Sequence, residues 1–300
     1  MRARSGSFRC GYVAIVGRPN VGKSTLLNRI LGQKLSITSP KPQTTRYRII
    51  GIKTTEAFQA IYVDTPGLHA RGRRALNRYL KRAATSALGD VDVIVFVVEA
   101  LRWTDDDAFV CDKLAALRVP VVLAVNKVDR VKDKRLLLPY LEECARRWDF
   151  AELIPISAQR GDNVAELEAC VTGRLPPGAA FFPSEQTTDR SERFLVAELV
   201  REKLTWYLGD ELPHRLSVEI ERFTEEDGRV NIAALVWVER ESQKAIVIGK
   251  GGRMLKRVGT EVRGEAEELL GRRVFLELWV KVKANWSDDE RALRQLGYED

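Results

Sequence analysis

Between residues 8 and 175, short unbroken apolar runs alternate with stretches of helical periodicity. Tyr12-Val13-Ala14-Ile15-Val16, Ala60-Ile61-Tyr62-Val63, the run from Val93 to Val98, the run from Val119 to Val125, and Ile154-Pro155-Ile156 each suit a buried strand. Strands interleaved with helices predict an α/β domain with a mostly parallel sheet, its strands ending at Val16, Val63, Val98, Val125 and Ile156. Ligands of such sheets bind beyond the carboxyl ends of the strands. The pattern breaks over residues 176–190, where Pro176-Pro177-Gly178, Pro183 and a polar run read as a linker. Helical spacing returns with Phe194, Ala197, Leu199 and Leu204. Strands are predicted over 215–223 and 231–239 around an Asp227-Gly228 turn, followed by a helix to about Leu270. A last strand over 275–283 and a short terminal helix complete an α+β pattern. The expected division is 1–175, linker 176–190 and 191–300.

Four of the five strand ends in the first half run directly into a polar signature. Gly17-Arg18-Pro19-Asn20-Val21-Gly22-Lys23-Ser24 reads G-x-x-x-x-G-K-S, lying between a strand and the helical stretch that starts at Thr25. Glycines allow backbone N–H groups to turn inward around phosphates, and a helix N-terminus adds its positive dipole end. Lys23 would reach the β- and γ-phosphates, and the Ser24 hydroxyl would bind Mg²⁺. In the loop over 36–48, rich in Ser, Pro and Thr, Thr45 rather than Thr44 is taken as a second Mg²⁺ ligand. Asp64-Thr65-Pro66-Gly67 ends the next strand. Its aspartate would hold Mg²⁺ through a water, and the Gly67 N–H would face the γ-phosphate. Asn126-Lys127-Val128-Asp129 selects a base. Guanine offers N1–H and NH₂ as adjacent donors, which one Asp129 carboxylate accepts together; adenine offers an acceptor at N1. Asn126 would support the loops, and the Lys127 stem would lie along the ring. Ser157-Ala158 would bring backbone N–H groups to guanine O6.

Charge is unevenly spread. The chain carries a net +7, yet residues 191–300 hold 19 Lys/Arg against 22 Asp/Glu, leaving 30 against 20 in residues 1–190. Against that acidic background, Lys244, Lys250, Arg253, Lys256 and Arg257 have no acid among them and surround Gly249-Lys250-Gly251-Gly252. A G-x-x-G loop clamps single-stranded RNA in KH domains, but about one such match is expected by chance in a chain of this length. From the residues alone, an RNA clamp and a solvated basic turn both stand. In the last strand, alternation puts Leu276, Leu278, Val280 and Val282 on one face and Trp279, Lys281 and Lys283 on the other, as an RNA-stacking edge or as packing against a helix. Four cysteines without C-x-x-C spacing and two histidines argue against zinc and for reduced thiols. No run is long enough to span a bilayer.

Taken in order, the four signatures resemble a translation-factor-class GTPase. Gly17 to Ser24, Gln43-Thr44-Thr45-Arg46, Val63-Asp64-Thr65-Pro66-Gly67-Leu68-His69 and Val125 to Asp129 narrow the resemblance to the Era family among Era-like GTPases, the family with a C-terminal type II KH domain. The hairpin, the G-x-x-G loop and Leu276 to Lys283 fit that second domain. The resemblance implies hydrolysis of GTP to GDP and phosphate. It implies binding to the 3′ region of 16S ribosomal RNA on the small (30S) subunit, and a role in ribosome assembly. Ile248, Gly249, Lys250, Gly251, Gly252, Arg253, Lys256 and Arg257 would form the RNA site. The expected protein is a cytoplasmic monomer; a GTP-dependent switch at the inner membrane surface is the alternative. Leu68 stands where many GTPases place a water-orienting glutamine, and Asn20 would help hold K⁺ beside the phosphates, as in related GTPases.

Overall fold

The computed structural model describes residues 7–41, 44–67, 91–209, 212–284 and 286. The first half forms strands β1 (Arg9–Val16), β2 (Ile49–Thr54), β3 (Phe58–Asp64), β4 (Val93–Glu99), β5 (Val121–Asn126) and β6 (Glu152–Pro155). Among them lie helices α1 (Lys23–Leu31), α2 (Asp105–Leu114), α3 (Leu137–Arg147) and α4 (Val164–Thr172). The strands make one six-stranded sheet in the order β2-β3-β1-β4-β5-β6. It is parallel except for β2, which runs antiparallel to β3. The sheet is the parallel α/β layer that the apolar runs predict, and its five parallel strands end within a residue of the expected positions.

The sequence pattern did not indicate β2. Its Ile49-Ile50-Gly51-Ile52 run is interrupted by a glycine, which weakens a strand reading. The glycine is there because α1 lies against it. A Cβ on Gly51 would stand 2.4 Å from the Leu31 side chain.

The stretch expected to be a linker is laid along this same sheet. Cys10 N–H donates to Pro176 O at 3.1 Å, and Ile52 N–H donates to Thr187 O at 2.8 Å. The fully buried Gln59 accepts from the N–H groups of Phe181 and Phe182 at 2.7 and 2.9 Å. Of the described residues, 7–36, 45–67 and 91–189 form one compact unit; 37–41, 44 and those from Arg190 onward form the other.

The second unit contains α5 (Glu192–Tyr207), β7 (Leu216–Glu226), β8 (Arg229–Val238), α6 (Glu241–Ile248), α7 (Arg253–Leu270) and β9 (Arg273–Val282). Its sheet is ordered β7-β8-β9, with β7 and β8 antiparallel and β8 and β9 parallel. Asp227 and Gly228 both take positive φ, 50° and 68°, as a tight hairpin turn requires. One face of the sheet buries Val230, Ile232, Ala234, Val236 and Val238 with Val258, Val262 and Ala266 of α7. The expected terminal helix lies outside the described residues.

In the first unit, Phe96 of β4 is fully buried and packs its ring 6.0 Å from Trp103 and 6.4 Å from Phe150. Phe96→Ala should therefore lower that unit's unfolding free energy by about 3–5 kcal/mol. Urea unfolding followed by tryptophan fluorescence reads the change; a loss well below 1 kcal/mol would contradict this packing.

Candidate functional site

The phosphate loop leaves β1 at Gly17 and enters α1 at Lys23. Three of its residues take positive φ: Gly17 at 147°, Asn20 at 65° and Gly22 at 103°. At Gly17 and Gly22 a side chain would also collide. A Cβ would stand 2.3 Å from Val97 O in the first case and 2.3 Å from Asn126 Nδ2 in the second. The loop is thus pressed onto β4 and β5, which fixes its curvature. Lys23 is buried, and its ammonium donates to Gly17 O and Arg18 O at 3.1 Å each. Burial pushes its pKa down to about 8; Asp64 opposes the shift and Arg18 adds to it.

The three expected magnesium ligands come together. Ser24 Oγ lies 2.8 Å from Thr45 Oγ1 and donates to Asp64 Oδ2 at 2.7 Å. Thr44 does not share this cluster: its hydroxyl lies 2.6 Å from Ser39 Oγ and donates to Lys41 O at 2.8 Å. Asp64 is fully buried, its second oxygen Oδ1 has no hydrogen-bond partner, and burial pushes its carboxyl above the usual range. One carboxylate with an unpartnered oxygen, and two hydroxyls clustered at its other oxygen, suit Mg²⁺, which keeps several waters and shares phosphate oxygens. The residues present fit that ion. Gly67 packs against the loop as well, since a Cβ there would stand 2.7 Å from Pro19 N. Thr65 and Pro66 lie between, and the Thr65 hydroxyl donates to Ile15 O at 3.0 Å. Leu68 and Gln43 lie outside the described residues.

At the base end, Asn126 Nδ2 donates to Val21 O at 2.7 Å. Its Oδ1 accepts from the N–H groups of Lys127 at 2.7 Å and Ala158 at 2.9 Å. Ser157 Oγ donates to Asp129 Oδ1 at 2.7 Å, which orients the carboxylate expected to read guanine.

Sequence reasoning missed the acids behind these loops. Arg18, 8% exposed, pairs with Glu99 at 2.9 Å and Asp107 at 3.0 Å. Glu99 also reaches Lys127 at 3.2 Å. Burial alone would raise the Glu99 pKa, yet Arg18 and Lys127 hold the carboxyl below its usual range. Ser36 is a further omission; its hydroxyl donates to Asp64 Oδ2 at 2.8 Å. The available signal for Glu99 was its position, directly after the apolar run of β4.

In the second unit, Gly249, Gly251 and Gly252 take φ of 72°, 62° and 74°. Space is open where Cβ atoms on Gly251 and Gly252 would point, and Lys250 is exposed. Beside the loop lies a groove of about 340 Å³ lined by Gly252, Leu255, Lys256, Gly259, Thr260, Arg263, Leu276 and Leu278. Of the expected RNA residues, Gly252 and Lys256 line it. Ile248, Gly249, Lys250, Gly251 and Arg253 flank it along the chain. Arg257 does not line it; its guanidinium lies 4.0 Å from the Tyr207 ring centroid and 3.3 Å from Glu261. The groove's apolar floor was legible as a buried strand face but not as a groove.

Two family profiles match this chain: one described as 50S ribosome-binding GTPase over residues 12–127, and one described as KH domain over residues 211–287. Curated GTPase Era of Actinobacillus pleuropneumoniae is 59% identical over 97% of this chain and 96% of its own length. GTPase Era of Azotobacter vinelandii is 58% identical over 98% of both. Among solved structures, Era of Aquifex aeolicus bound to GDP·AlF4− is 38% identical, with a TM-score of 0.94 over 97% of this chain and 100% of its own. A second, Era in complex with MgGDPNP and nucleotides 1506–1542 of 16S ribosomal RNA, has the same identity and TM-score over 98% and 100%.

The Lys23 ammonium gives the site a pH signature. Bound phosphates favour its charged form, so above pH 8 binding must take up a proton. GTP affinity should be level below pH 8 and fall by up to about tenfold per unit above it. Calorimetry at pH 7, 8 and 9 checks this, with Lys23→Ala expected to be weak and flat. A wild-type affinity that does not change between pH 8 and 9 would show that Lys23 does not titrate there.

Proposed function

Because the chain belongs to the Era family of GTPases and so hydrolyses GTP to GDP and phosphate, we propose that it serves in assembly of the small ribosomal subunit. On this reading it binds the 3′ region of 16S ribosomal RNA through its KH domain. The observation that carries the RNA half is the open Gly249-Lys250-Gly251-Gly252 loop beside a groove bearing Lys256 and Arg263. The relative crystallised with nucleotides 1506–1542 of 16S ribosomal RNA supports the choice of RNA. With a ribosomal partner, the protein would work in the cytoplasm. Among the described residues no helix is long and apolar enough to cross a membrane.

In the first unit, we assign the phosphates to residues Gly17 to Thr25 and Gly67, and the base to Asn126, Lys127, Asp129, Ser157 and Ala158. Ser24, Thr45 and Asp64 would hold Mg²⁺, the aspartate through a water. That ion, when bound, neutralises charge that spreads over the β- and γ-phosphate oxygens. Lys23 adds a point charge at the same oxygens, and the loop's curvature fixes the phosphates for in-line attack. Water attacks the γ-phosphorus, its bond to the β–γ bridging oxygen breaks, and GDP leaves with the electron pair. Leu68 has no group to orient that water, so intrinsic turnover is slow. Asn20, at the loop's outer bend with φ of 65°, is our candidate to help hold K⁺ beside the phosphates.

Two measurements test this reading. Lys250→Asp combined with Gly251→Asp sets two negative charges where RNA phosphate would approach. RNA affinity should drop at least tenfold, while GTP affinity and RNA-free hydrolysis stay within about twofold, since a charge-assisted contact is worth roughly 1.5–3 kcal/mol. A folded double variant, checked by circular dichroism, that keeps full RNA affinity would refute the KH assignment. For the cation, hydrolysis rates in KCl and NaCl at equal ionic strength should favour potassium. Equal rates in the two salts would remove K⁺ from the mechanism.

A further inference from the structure

One wall of the G-x-x-G groove is β9, through Leu276 and Leu278. The residues alternating with them, Phe275, Glu277 and Trp279, point to the opposite face of the sheet, since successive strand side chains alternate. That face carries aromatic surface in the open. Phe275 is 46% exposed and Trp279 is 57% exposed. Trp279 therefore does not pack under a helix, which was one of the two readings of this strand. In register beside them on β8 stand Asn231, Ala233 and Leu235, and Trp237 stands beside Lys281.

Cations frame the rings. Arg229 lies 5.5 Å from the Phe275 centroid, and Lys281 and Lys283 lie 6.0 and 5.9 Å from the Trp237 centroid. Glu277, between the two exposed rings, is paired with Arg222. The other acids in contact with these side chains, Glu219 and Glu221, stand on β7: Trp237 Nε1–H donates to Glu219 at 2.9 Å, and Lys281 reaches Glu221 at 3.2 Å. Around the rings, β8 and β9 thus bring Arg229, Lys281 and Lys283 together with Glu277, and β7 brings Glu219 and Glu221 together with Arg222. Because β9 is an edge strand, only its own backbone edge separates this face from the groove.

We infer that the open face along β9 is a second RNA-contact surface, on which a strand leaving the groove stacks its bases on Trp279 and Phe275. Arg229, Lys281 and Lys283 meet the phosphates. Two arguments select RNA as the occupant. The surface is continuous with the groove across one strand edge, and a G-x-x-G loop clamps only about four nucleotides, so a longer RNA must continue past it. Exposed rings interleaved with Lys and Arg are also the chemistry that single strands use without regard to sequence. The inference rests on the RNA reading given above.

The test uses the full chain with Mg²⁺, a non-hydrolysable GTP analogue and two labelled single-stranded RNAs from the 3′ end of 16S ribosomal RNA. One has about four nucleotides, matching the groove, and the other about twelve. Trp279→Ala should weaken the longer RNA about five- to a hundredfold, the value of a lost base–aromatic stack, and leave the shorter one unchanged. Trp279→Phe should restore most of the loss, and Phe275→Ala should repeat it more weakly. Equal binding of the longer RNA by wild type and Trp279→Ala would overturn the inference. So would equal weakening of both RNAs, which would mark a folding or groove effect. If RNA binding is kept while co-sedimentation with small ribosomal subunits is lost, the face serves a protein and the inference falls. Failure of the underlying RNA reading looks different: the wild type would bind neither RNA.

Discussion

One carboxamide ties the nucleotide site together. Asn126 donates to Val21 in the phosphate loop and accepts from Lys127 and Ala158 in the two loops beyond it. A carboxamide offers two donors and two acceptor positions, and three of these four are spent on backbone. No other side chain of this size could replace it. An aspartate would accept from both N–H groups but meet the Val21 carbonyl with negative charge, and a leucine would leave three buried backbone groups unanswered. Gly22 follows from the same contact, because the Asn126 amide occupies the space its Cβ would need. Phosphate cradle and base pocket are therefore set at a fixed separation before any nucleotide arrives, which is the preorganisation that phosphoryl transfer needs.

Around that link the charges form a network, which Arg102 joins at Glu99. Arg18, Glu99, Asp107 and Lys127 neutralise one another, with Asp107 fully buried. Buried ion pairs contribute little net stability, because desolvation offsets most of the attraction. Their effect here is geometric. Asp107 also accepts from the Thr104 N–H and hydroxyl, so the helix cap of α2 and the phosphate loop share one carboxylate. Removing either acid would leave the buried Arg18 with one carboxylate in place of two.

What was legible in the sequence and what was not divides along physical lines. Buried parallel strands read as continuous apolar runs, so β1, β3, β4, β5 and β6 stood out, whereas β2 was hidden by the glycine that lets α1 approach. The clustering of Ser24, Thr45 and Asp64 could be anticipated because each belongs to a short motif whose chemistry is local. Glu99, Asp107 and Ser36 could not be, because their partners lie 81, 89 and 28 residues away and no spacing rule joins them. Arg257 shows a related limit: a run of basic residues on a helix does not say which of them meets Tyr207 and Glu261.

The segment from Ile37 to Thr44 shows how far folding can depart from chain order. Its own hydroxyls answer part of the backbone, since Lys41 N–H donates to Ser39 Oγ and Thr44 Oγ1 donates to Lys41 O, and its other polar groups need partners or water. Here helix α5 supplies them. Glu202 accepts from the Thr38 N–H at 2.7 Å, Trp206 Nε1–H donates to Thr38 O at 2.9 Å, and Arg201 donates to Thr44 O at 2.6 Å while paired twice with Glu198. Glu198, Arg201 and Glu202 are 3%, 2% and 1% exposed. Three charges so deeply buried on one face of a helix would be a severe loss in an ordinary hydrophobic core. They are tolerated because each meets a charge or a backbone group, and two of them meet this loop. The next peptide bond, from Thr44 to Thr45, leads back to the first unit, where the Thr45 hydroxyl stands 2.8 Å from Ser24. The residue proposed to ligate the metal is thus the chain neighbour of Thr44, whose carbonyl Arg201 of α5 holds.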